Sequence, residues 1–246
     1  MLEDGISRLA TYLFYLTPGV LLCGLWFWLT PKSQTGMRIL ILLLGFVLVR
    51  DAMTPQGLWS LTDQVQIGFI ANPLILAALG LLSLALVGLL ARLAPALWAL
   101  VVWRKGNLAG GLILGLLAGI VIGLPLRLYQ GNGFEVDTLW LGGLLVLAYG
   151  GNALEEVLFR GVLQGYLEQH TSALRAALGS AVAFAACHGF LALSVTQVGW
   201  PILAFTLLEG VVCAMLRMRY GVIAAIAAHG TIILLLAVPV LRAATG

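Results

Sequence analysis

The sequence contains little charge, few cysteines and no long basic run. Only 9% of its 246 residues are charged, whereas a soluble globular domain carries about 25%. So few charges cannot cover a water-exposed surface. Three cysteines, each within an apolar run, exclude a secreted disulfide scaffold. A net charge of +3, with no basic run longer than Arg104-Lys105, argues against a nucleic-acid partner.

Apolar residues are abundant instead. They make up 61% of the chain, and the mean hydropathy is +1.06. Since a transmembrane helix needs about 20 mainly apolar residues, the sequence predicts an all-α, polytopic membrane helix bundle with about eight transmembrane helices in a single membrane domain, residues 1–246. Seven helices remain possible if the shortest span only enters the bilayer. The predicted spans are 9–30, 37–53, 70–94, 107–127, 138–165, 173–193, 198–217 and 219–241.

The ends of these spans predict an orientation. The acidic start, Glu3-Asp4, is unlike a cleaved signal peptide, so we expect the first apolar run to stay as a membrane helix. Residues 56–66 are expected to form a short interfacial element. Lys and Arg are concentrated in the odd-numbered loops, which predicts that these loops are cytoplasmic and both termini outside. The odd loops hold Lys32, Arg38, Arg92, Arg104, Lys105, Arg175, Arg217 and Arg219, and the even loops and termini hold Arg8, Arg50, Arg127 and Arg242.

Three acidic residues, Glu155, Glu156 and Glu209, lie inside apolar segments. A charge at the centre of a membrane helix costs roughly 2.5–3.5 kcal/mol, so such residues usually face a functional cavity. Arg160 follows Glu156 by four residues, the spacing of a helical ion pair. Glu155 points about 100° away and has no cation on its own helix. A carboxyl group in such a cavity is suited to proton transfer.

Two histidines, His188 and His229, also lie inside apolar segments and are each followed by glycine. With Glu155 they come from three different helices and form a plausible site. Two chemistries are open: a water activated by Glu155 and a histidine, or a catalytic zinc held by the three residues. The spacing does not distinguish them. The third histidine, His170, lies in a polar loop.

These residues form an ordered set of motifs: Glu155-Glu156-x-x-x-Arg160, then Phe184-x-x-x-His188, then His229. The set resembles the CPBP family of intramembrane proteases, which includes CAAX prenyl endopeptidases of the Rce1 type. The resemblance covers residues 138–241, which would form the catalytic core, with 1–137 as accessory helices. It implies a glutamate-dependent endopeptidase without a metal or another cofactor. Glu155 and His188 would activate water, Glu156 and Arg160 would hold the site together, and His229 would donate to the oxyanion.

Two positions depart from the family pattern. The family usually has Asn or Asp four residues after the last histidine, where this chain has Ile233. Asn152 is an alternative source of that second donor. Glu209 has no counterpart in the pattern; it would line the cavity or mark a subgroup with its own substrate. We therefore count Asn152, Phe184 and Glu209 as accessory candidates.

The resemblance also implies a setting and a substrate. The chain would work within membrane lipid as a multi-pass protein, and it looks most like a bacterial inner-membrane member. The substrate would be a membrane-anchored protein or peptide cut near its end, as prenylated CAAX tails are in eukaryotes. Three alternatives remain: a catalytically silent scaffold or immunity protein, an ion- or proton-coupled transporter, and a zinc protease.

Overall fold

The structure is a computed structural model that describes residues 2–61, 67–129, 137–196 and 198–237. Two π-helical segments interrupt the helices: the first (Val157–Leu163) continues α6, and the second (Leu191–Val195) follows α8. In chain order the helices and strands are α1 (Leu2–Leu29), α2 (Thr35–Asp51), β1 (Trp59–Leu61), β2 (Ile67–Phe69), α3 (Pro73–Leu93), α4 (Pro95–Trp98), α5 (Leu108–Tyr129), α6 (Thr138–Glu156), α7 (Gln164–Glu168), α8 (Ala173–Cys187), α9 (Trp200–Tyr220) and α10 (Val222–Ala237).

Side chains at the helix starts explain where several helices begin. The Asn72 side chain accepts hydrogen bonds from the first free backbone N–H groups of α3, and Pro73 follows it. Asp137 accepts from Leu139 N at 3.0 Å at the start of α6, and Ser172 does the same for α8. These residue types satisfy N–H groups that have no partner within a helix. The polar residues between the apolar runs therefore fix the ends of the helices.

The prediction of an all-α membrane bundle is confirmed. Each predicted span contains a helix, and large apolar side chains such as Phe14, Trp28 and Val121 face outward with 70–78% of their surface exposed. Such exposure is expected when lipid is the solvent. By length and composition, five helices of the described residues can cross a membrane, so a count of eight is not established. They are Asp4–Leu29, Pro73–Leu93, Leu108–Tyr129, Ala173–Val195 and Trp200–Tyr220.

The connections between the helices place the odd-numbered loops on one side of the bundle. Lys105 N donates to Tyr220 O at 2.8 Å, and Val222 N donates to Val102 O at 2.9 Å, so the third and seventh loops lie together. Arg217 forms an ion pair with Glu168 next to the fifth loop. α5 and α10 both start from this side and pack closely, because a Cβ at Gly119 would lie 2.7 Å from Ala228 O.

The first π-helical segment lies next to the acidic pair of α6. Isolated π-helical turns are uncommon and often occur at functional sites. Its Phe159 carbonyl accepts a 2.8 Å hydrogen bond from Ser180 Oγ of α8. Ser180 is fully buried, since its hydroxyl has a carbonyl to bind inside the bundle.

Arg50, which was assigned to an even loop from the sequence, and its neighbour Asp51 are also buried. Arg50 and Asp51 end α2, and their side chains are 10% and 6% exposed. They tolerate burial because they pair with each other, with 2.7 Å between Arg50 Nε and Asp51 Oδ1. The interfacial element expected at residues 56–66 corresponds to β1, which pairs with β2 in an antiparallel hairpin. The expectations for Arg242 and for the end of the last span lie outside the described residues.

Candidate active site

A cavity of about 180 Å³ lies among the helices. Ligand pockets for drug-sized molecules measure roughly 300–1,000 Å³, so this space suits a few atoms of an extended chain together with water. α1, α2, α3, α6, α8, α9, α10 and the β-hairpin all contribute to its wall. Most lining residues are apolar. The polar exceptions that matter chemically are Arg50, Asn152, Glu155, His188, Glu209 and His229.

Glu155 projects from the last turn of α6 into this cavity. Its Oε2 atom is buried and has no hydrogen-bond partner among the described residues. The neighbouring Glu156 faces away and does not line the cavity. The 100° step between successive helical residues thus separates the two carboxylates, as expected from the sequence, and leaves Glu155 free to accept a proton from a small molecule such as water.

His188 caps the end of α8 and also lines the cavity. Its Nδ1 donates to Phe184 O at 2.8 Å. A neutral imidazole has one donor and one acceptor nitrogen, so Nε2 is then the acceptor. Phe184 is fully buried between the histidines, with its ring centroid 4.5 Å from that of His188 and 5.7 Å from that of His229. Phe184 therefore packs against both histidine rings and fixes their positions.

Behind the cavity, Glu156 connects two basic groups. Its Oε1 lies 3.1 Å from Arg160 Nη1 and 2.8 Å from His229 Nδ1. The ion pair expected from the i, i+4 spacing is thus present, with both side chains fully buried. The Arg160 guanidinium also lies 4.2 Å from the centroid of the Phe184 ring, a cation–π contact. This arrangement fixes His229 with its other nitrogen, Nε2, toward the cavity.

Two of the three accessory candidates, Glu209 and Asn152, line the same cavity. Glu209 on α9 lines it, and its Oε1 lies 3.5 Å from His229 Nε2. The Asn152 amide, also in the wall, donates to Ala148 O of its own helix at 2.5 Å. Ile233, one turn after His229 on α10, presents an apolar side chain there. The role of Asn152 as a second oxyanion donor stays a prediction.

Sequence reasoning missed Arg50, the cavity's cation from α2. Its Nη2 donates to Cys187 O at 2.6 Å, and its Nη1 is buried with no hydrogen-bond partner among the described residues. Arg50 therefore connects the N-terminal helices to the residue before His188. The available signal was the position of Arg50-Asp51 at the very end of an apolar run, which we interpreted as a loop.

A catalytic zinc would need several metal-ligating side chains close together. Within the described ranges, no three His, Cys, Asp or Glu side chains are grouped so that they would hold a metal ion. His188 and His229 instead have separate hydrogen-bond partners, Phe184 O and Glu156 Oε1. The arrangement has an unpaired carboxyl, that of Glu155, and two imidazoles whose Nδ1 atoms are already hydrogen-bonded, around one small space.

Comparison with known proteins agrees with the motifs. Residues 137–235 match the family described as type II CAAX prenyl endopeptidase Rce1-like. The matched region begins at the cap of α6 and includes Glu155, His188, Glu209 and His229. No curated protein and no solved structure matches the chain. The expected resemblance is confirmed: residues 137–235 of this multi-pass membrane protein match the Rce1-like family of type II CAAX prenyl endopeptidases.

Proposed function

We propose that this protein is an intramembrane glutamic endopeptidase. It hydrolyses a peptide bond near the end of a membrane-anchored substrate, with a water molecule activated by Glu155 and His188. The observation that carries this proposal is the meeting of Glu155, His188 and His229 in one cavity, although they belong to three helices. Three such groups within the membrane region are costly unless they serve a purpose.

The proposed reaction begins with one water between two acceptors. Glu155 has an unpartnered carboxylate oxygen, and His188 has its Nε2 acceptor because Nδ1 is used by Phe184 O. Each can accept one hydrogen from the same water, which orients the water oxygen and increases its nucleophilicity. Glu155 takes one proton as the oxygen bonds to the carbonyl carbon of the peptide, and the carbonyl oxygen becomes an oxyanion.

Collapse of this intermediate completes the reaction. His229 donates from Nε2 to the oxyanion, an interaction that is strongest when negative charge develops. Glu155 returns its proton to the amide nitrogen as the C–N bond breaks, so one carboxyl group acts first as base and then as acid. Glu156 and Arg160 do not touch the substrate; they hold His229 through Nδ1.

The small cavity and the family indicate the kind of substrate. A space of about 180 Å³ accommodates an extended segment but no intact helix, whose diameter is about 10–12 Å. A chain terminus is the part of a membrane-anchored protein that unwinds at least cost. The family acts on prenylated CAAX tails, so a prenylated or otherwise lipid-anchored C-terminal segment is the proposed substrate class.

The proposal is tested with the full chain in phospholipid vesicles. A farnesylated peptide ending in a CAAX sequence is the probe, and mass spectrometry measures release of its C-terminal tripeptide. Glu155→Ala and His188→Ala are each expected to abolish cleavage while insertion into the vesicles is retained. Glu168→Gln is the matched control, because this glutamate continues the same helical segment but lies outside the cavity wall.

Two results would contradict the proposal. Full activity of Glu155→Ala would remove the carboxylate from the reaction. Equal loss in Glu168→Gln and Glu155→Ala would mean that cleavage responds to general damage. A catalytically silent scaffold is the second candidate, favoured by the apolar Ile233 in the cavity wall. It would be indicated if the unchanged protein released no tripeptide from farnesylated probes.

A further inference from the structure

His229 lies between two carboxylates from two different helices. Glu156 Oε1 of α6 is 2.8 Å from Nδ1, and Glu209 Oε1 of α9 is 3.5 Å from Nε2. All three side chains are at most 3% exposed. The proposed reaction already uses Glu156 through its pair with Arg160. Glu209 has no role in it, yet it is the buried acid nearest to the nitrogen that faces the substrate.

The hydrogen bond between His229 and Glu156 determines which nitrogen of the His229 ring carries a hydrogen. Glu156, paired with Arg160, is a carboxylate and can only accept, so Nδ1 carries a hydrogen. A neutral imidazole has a single N–H, and its Nε2 would then be an acceptor. An acceptor facing the cavity would repel an oxyanion. Nε2 can donate to the oxyanion only when the ring carries both hydrogens and a positive charge.

We propose that Glu209 is a positioning residue that keeps the second hydrogen on Nε2 of His229. It thereby makes this histidine an imidazolium donor for the oxyanion of the proposed protease. This inference rests on the proposed function and adds to it a residue that the family motifs do not contain. A charged donor forms a stronger hydrogen bond with an anion than a neutral one. His229 can therefore stabilise the oxyanion although Ile233, one turn away, offers no donor.

The separation between the two groups fits this role. The Nε2–Oε1 distance of 3.5 Å is within ion-pair range but longer than a hydrogen bond of 2.7–3.2 Å. Consistent with this, Glu209 Oε1 has no hydrogen-bond partner among the described residues. The Glu209 carboxylate therefore attracts the Nε2 hydrogen electrostatically but does not accept a hydrogen bond from it. The hydrogen stays available to a substrate oxygen.

The backbone brings Glu209 to this position. Gly210, the next residue, allows α9 to approach α8: a Cβ there would lie 3.2 Å from Ala181 O. A larger residue would push α9 outward and take the Glu209 carboxylate away from the ring. The small side chain at 210 and the acid at 209 therefore act together.

Other charged groups around His229 come from several helices. α6 contributes Glu155 and Glu156, the first π-helical segment contributes Arg160, and α8 contributes His188. α2 contributes Arg50 to the same cavity wall, where it is paired with Asp51. α5 packs on another face of α10 through Gly119, and its Arg127 lies two turns further along. Glu156 and Arg160 balance each other. The charge that favours a second hydrogen on His229 therefore comes chiefly from Glu209, with Glu155 across the cavity.

The kinetic test compares three variants of the full chain in phospholipid vesicles, with the farnesylated CAAX peptide as the probe. Glu209→Gln keeps the shape of the side chain but removes its charge, and Glu209→Asp keeps the charge. At mildly alkaline pH we expect Glu209→Gln to lower kcat by about 100- to 1,000-fold, as for loss of one oxyanion donor, with KM unchanged. Glu209→Asp should retain much more activity. Glu168→Gln is the control.

The pH profile separates this role from a structural one. Without the neighbouring carboxylate, the imidazolium loses its hydrogen at lower pH. The alkaline fall of kcat in Glu209→Gln should therefore move toward acid by about one pH unit or more, and activity should recover as the pH is lowered. A purely structural defect would lower kcat equally at every pH.

Nitrogen-15 NMR of histidine gives a readout that needs no substrate. The chain has only three histidines, so each ring can be assigned from one-residue variants. At mildly alkaline pH, His229 should carry hydrogens on both nitrogens in the unchanged protein and on one nitrogen in Glu209→Gln. Unshifted signals of His170 and His188 would show that the fold is intact.

The outcomes distinguish the two proposals. A Glu209→Gln variant with unchanged kcat and pH profile, or a singly protonated His229 in the unchanged protein, overturns this inference. An inactive Glu155→Ala variant would in that case leave the proposed protease standing. An active Glu155→Ala variant contradicts the proposed function itself, whatever Glu209 does.

Discussion

Glu156 joins a cation of its own helical segment to a histidine of α10. One of its oxygens serves both Arg160 and His229, and the side chain is fully buried. Removal of one partner from a buried ion pair leaves an uncompensated charge in a medium of low dielectric constant. The consequence at the residue scale is that Glu156 should matter more for stability than the exposed acids do.

We predict that Glu156→Ala destabilises the folded protein by about 3–5 kcal/mol, the usual cost of breaking a buried pair. Arg160 would lose its carboxylate and His229 its Nδ1 partner. The drop in Tm of the detergent-solubilised protein measures this effect. Asp4→Ala is the control, because its ion pair with Arg8 lies at the surface, with 65% of the Asp4 side chain exposed. Similar Tm losses in both variants would contradict the prediction.

At this scale the sequence predicted what lies within one helix. The i, i+4 spacing indicated the Glu156–Arg160 pair, and the 100° step separated Glu155 from it. The contact between His229 and Glu209 was not predictable in the same way, because residues 20 positions apart on two helices have no fixed spacing. Only the cost of an acid in an apolar run marked Glu209 as unusual.

At the scale of elements, α2 supports the end of α8 through Arg50. The Nη2 atom donates to Cys187 O at 2.6 Å, and Asp51 holds the Nε side of the guanidinium at 2.7 Å. Carbonyls at the C-terminal end of a helix lack partners within the helix and are favourable places for a cation. His188 is the next residue, so the position of its ring depends on this contact.

We predict that Arg50→Gln lowers kcat/KM for the farnesylated peptide by about 100-fold, the cost of a misplacement near 1 Å. Lysine should restore only part of the activity, since one ammonium group cannot reproduce the fixed geometry of a guanidinium. Arg8→Gln on α1 is the control, because Arg8 pairs with Asp4 at the exposed surface. An unchanged kcat/KM in Arg50→Gln would show that α8 ends correctly without Arg50.

The sequence located the helices but not these connections. The apolar runs and their polar breaks predicted most helix ends to within a few residues, although α1 begins at Leu2 and not at residue 9. They placed Arg50, the neighbour of Asp51, in a loop, because a charge at the edge of a run is usually solvated. Their burial results from pairing with each other and with α8. The π-helical segments had no sequence signal that we identified.

For the whole molecule, the arrangement of the loops bears on orientation. The third, fifth and seventh loops meet on one side through the Lys105–Tyr220 hydrogen bond and the Arg217–Glu168 pair. The β-hairpin, which contributes to the cavity wall, belongs to an even-numbered connection. Excess Lys and Arg in the odd loops predicts that their shared side is cytoplasmic.

We predict that a cysteine replacing Lys105 is protected from a membrane-impermeant maleimide in sealed right-side-out vesicles and becomes reactive after permeabilisation. Ser60→Cys in the hairpin should react before permeabilisation. The three native cysteines are first replaced, and retained cleavage of the farnesylated peptide confirms the fold. The opposite labelling pattern would show that the odd-numbered loops lie outside. The residues that line the cavity would be the same.

The sequence by itself determined the class of the protein and the contacts within single helices. Low charge and long apolar runs require a helical membrane bundle, because lipid offers backbone groups no partner outside a helix. The tertiary structure alone decided that Glu209 and Arg50 join Glu155, His188 and His229. Helical periodicity fixes which residues share a face of one helix. Which faces of different helices meet depends on the packing of side chains and glycines over the whole bundle.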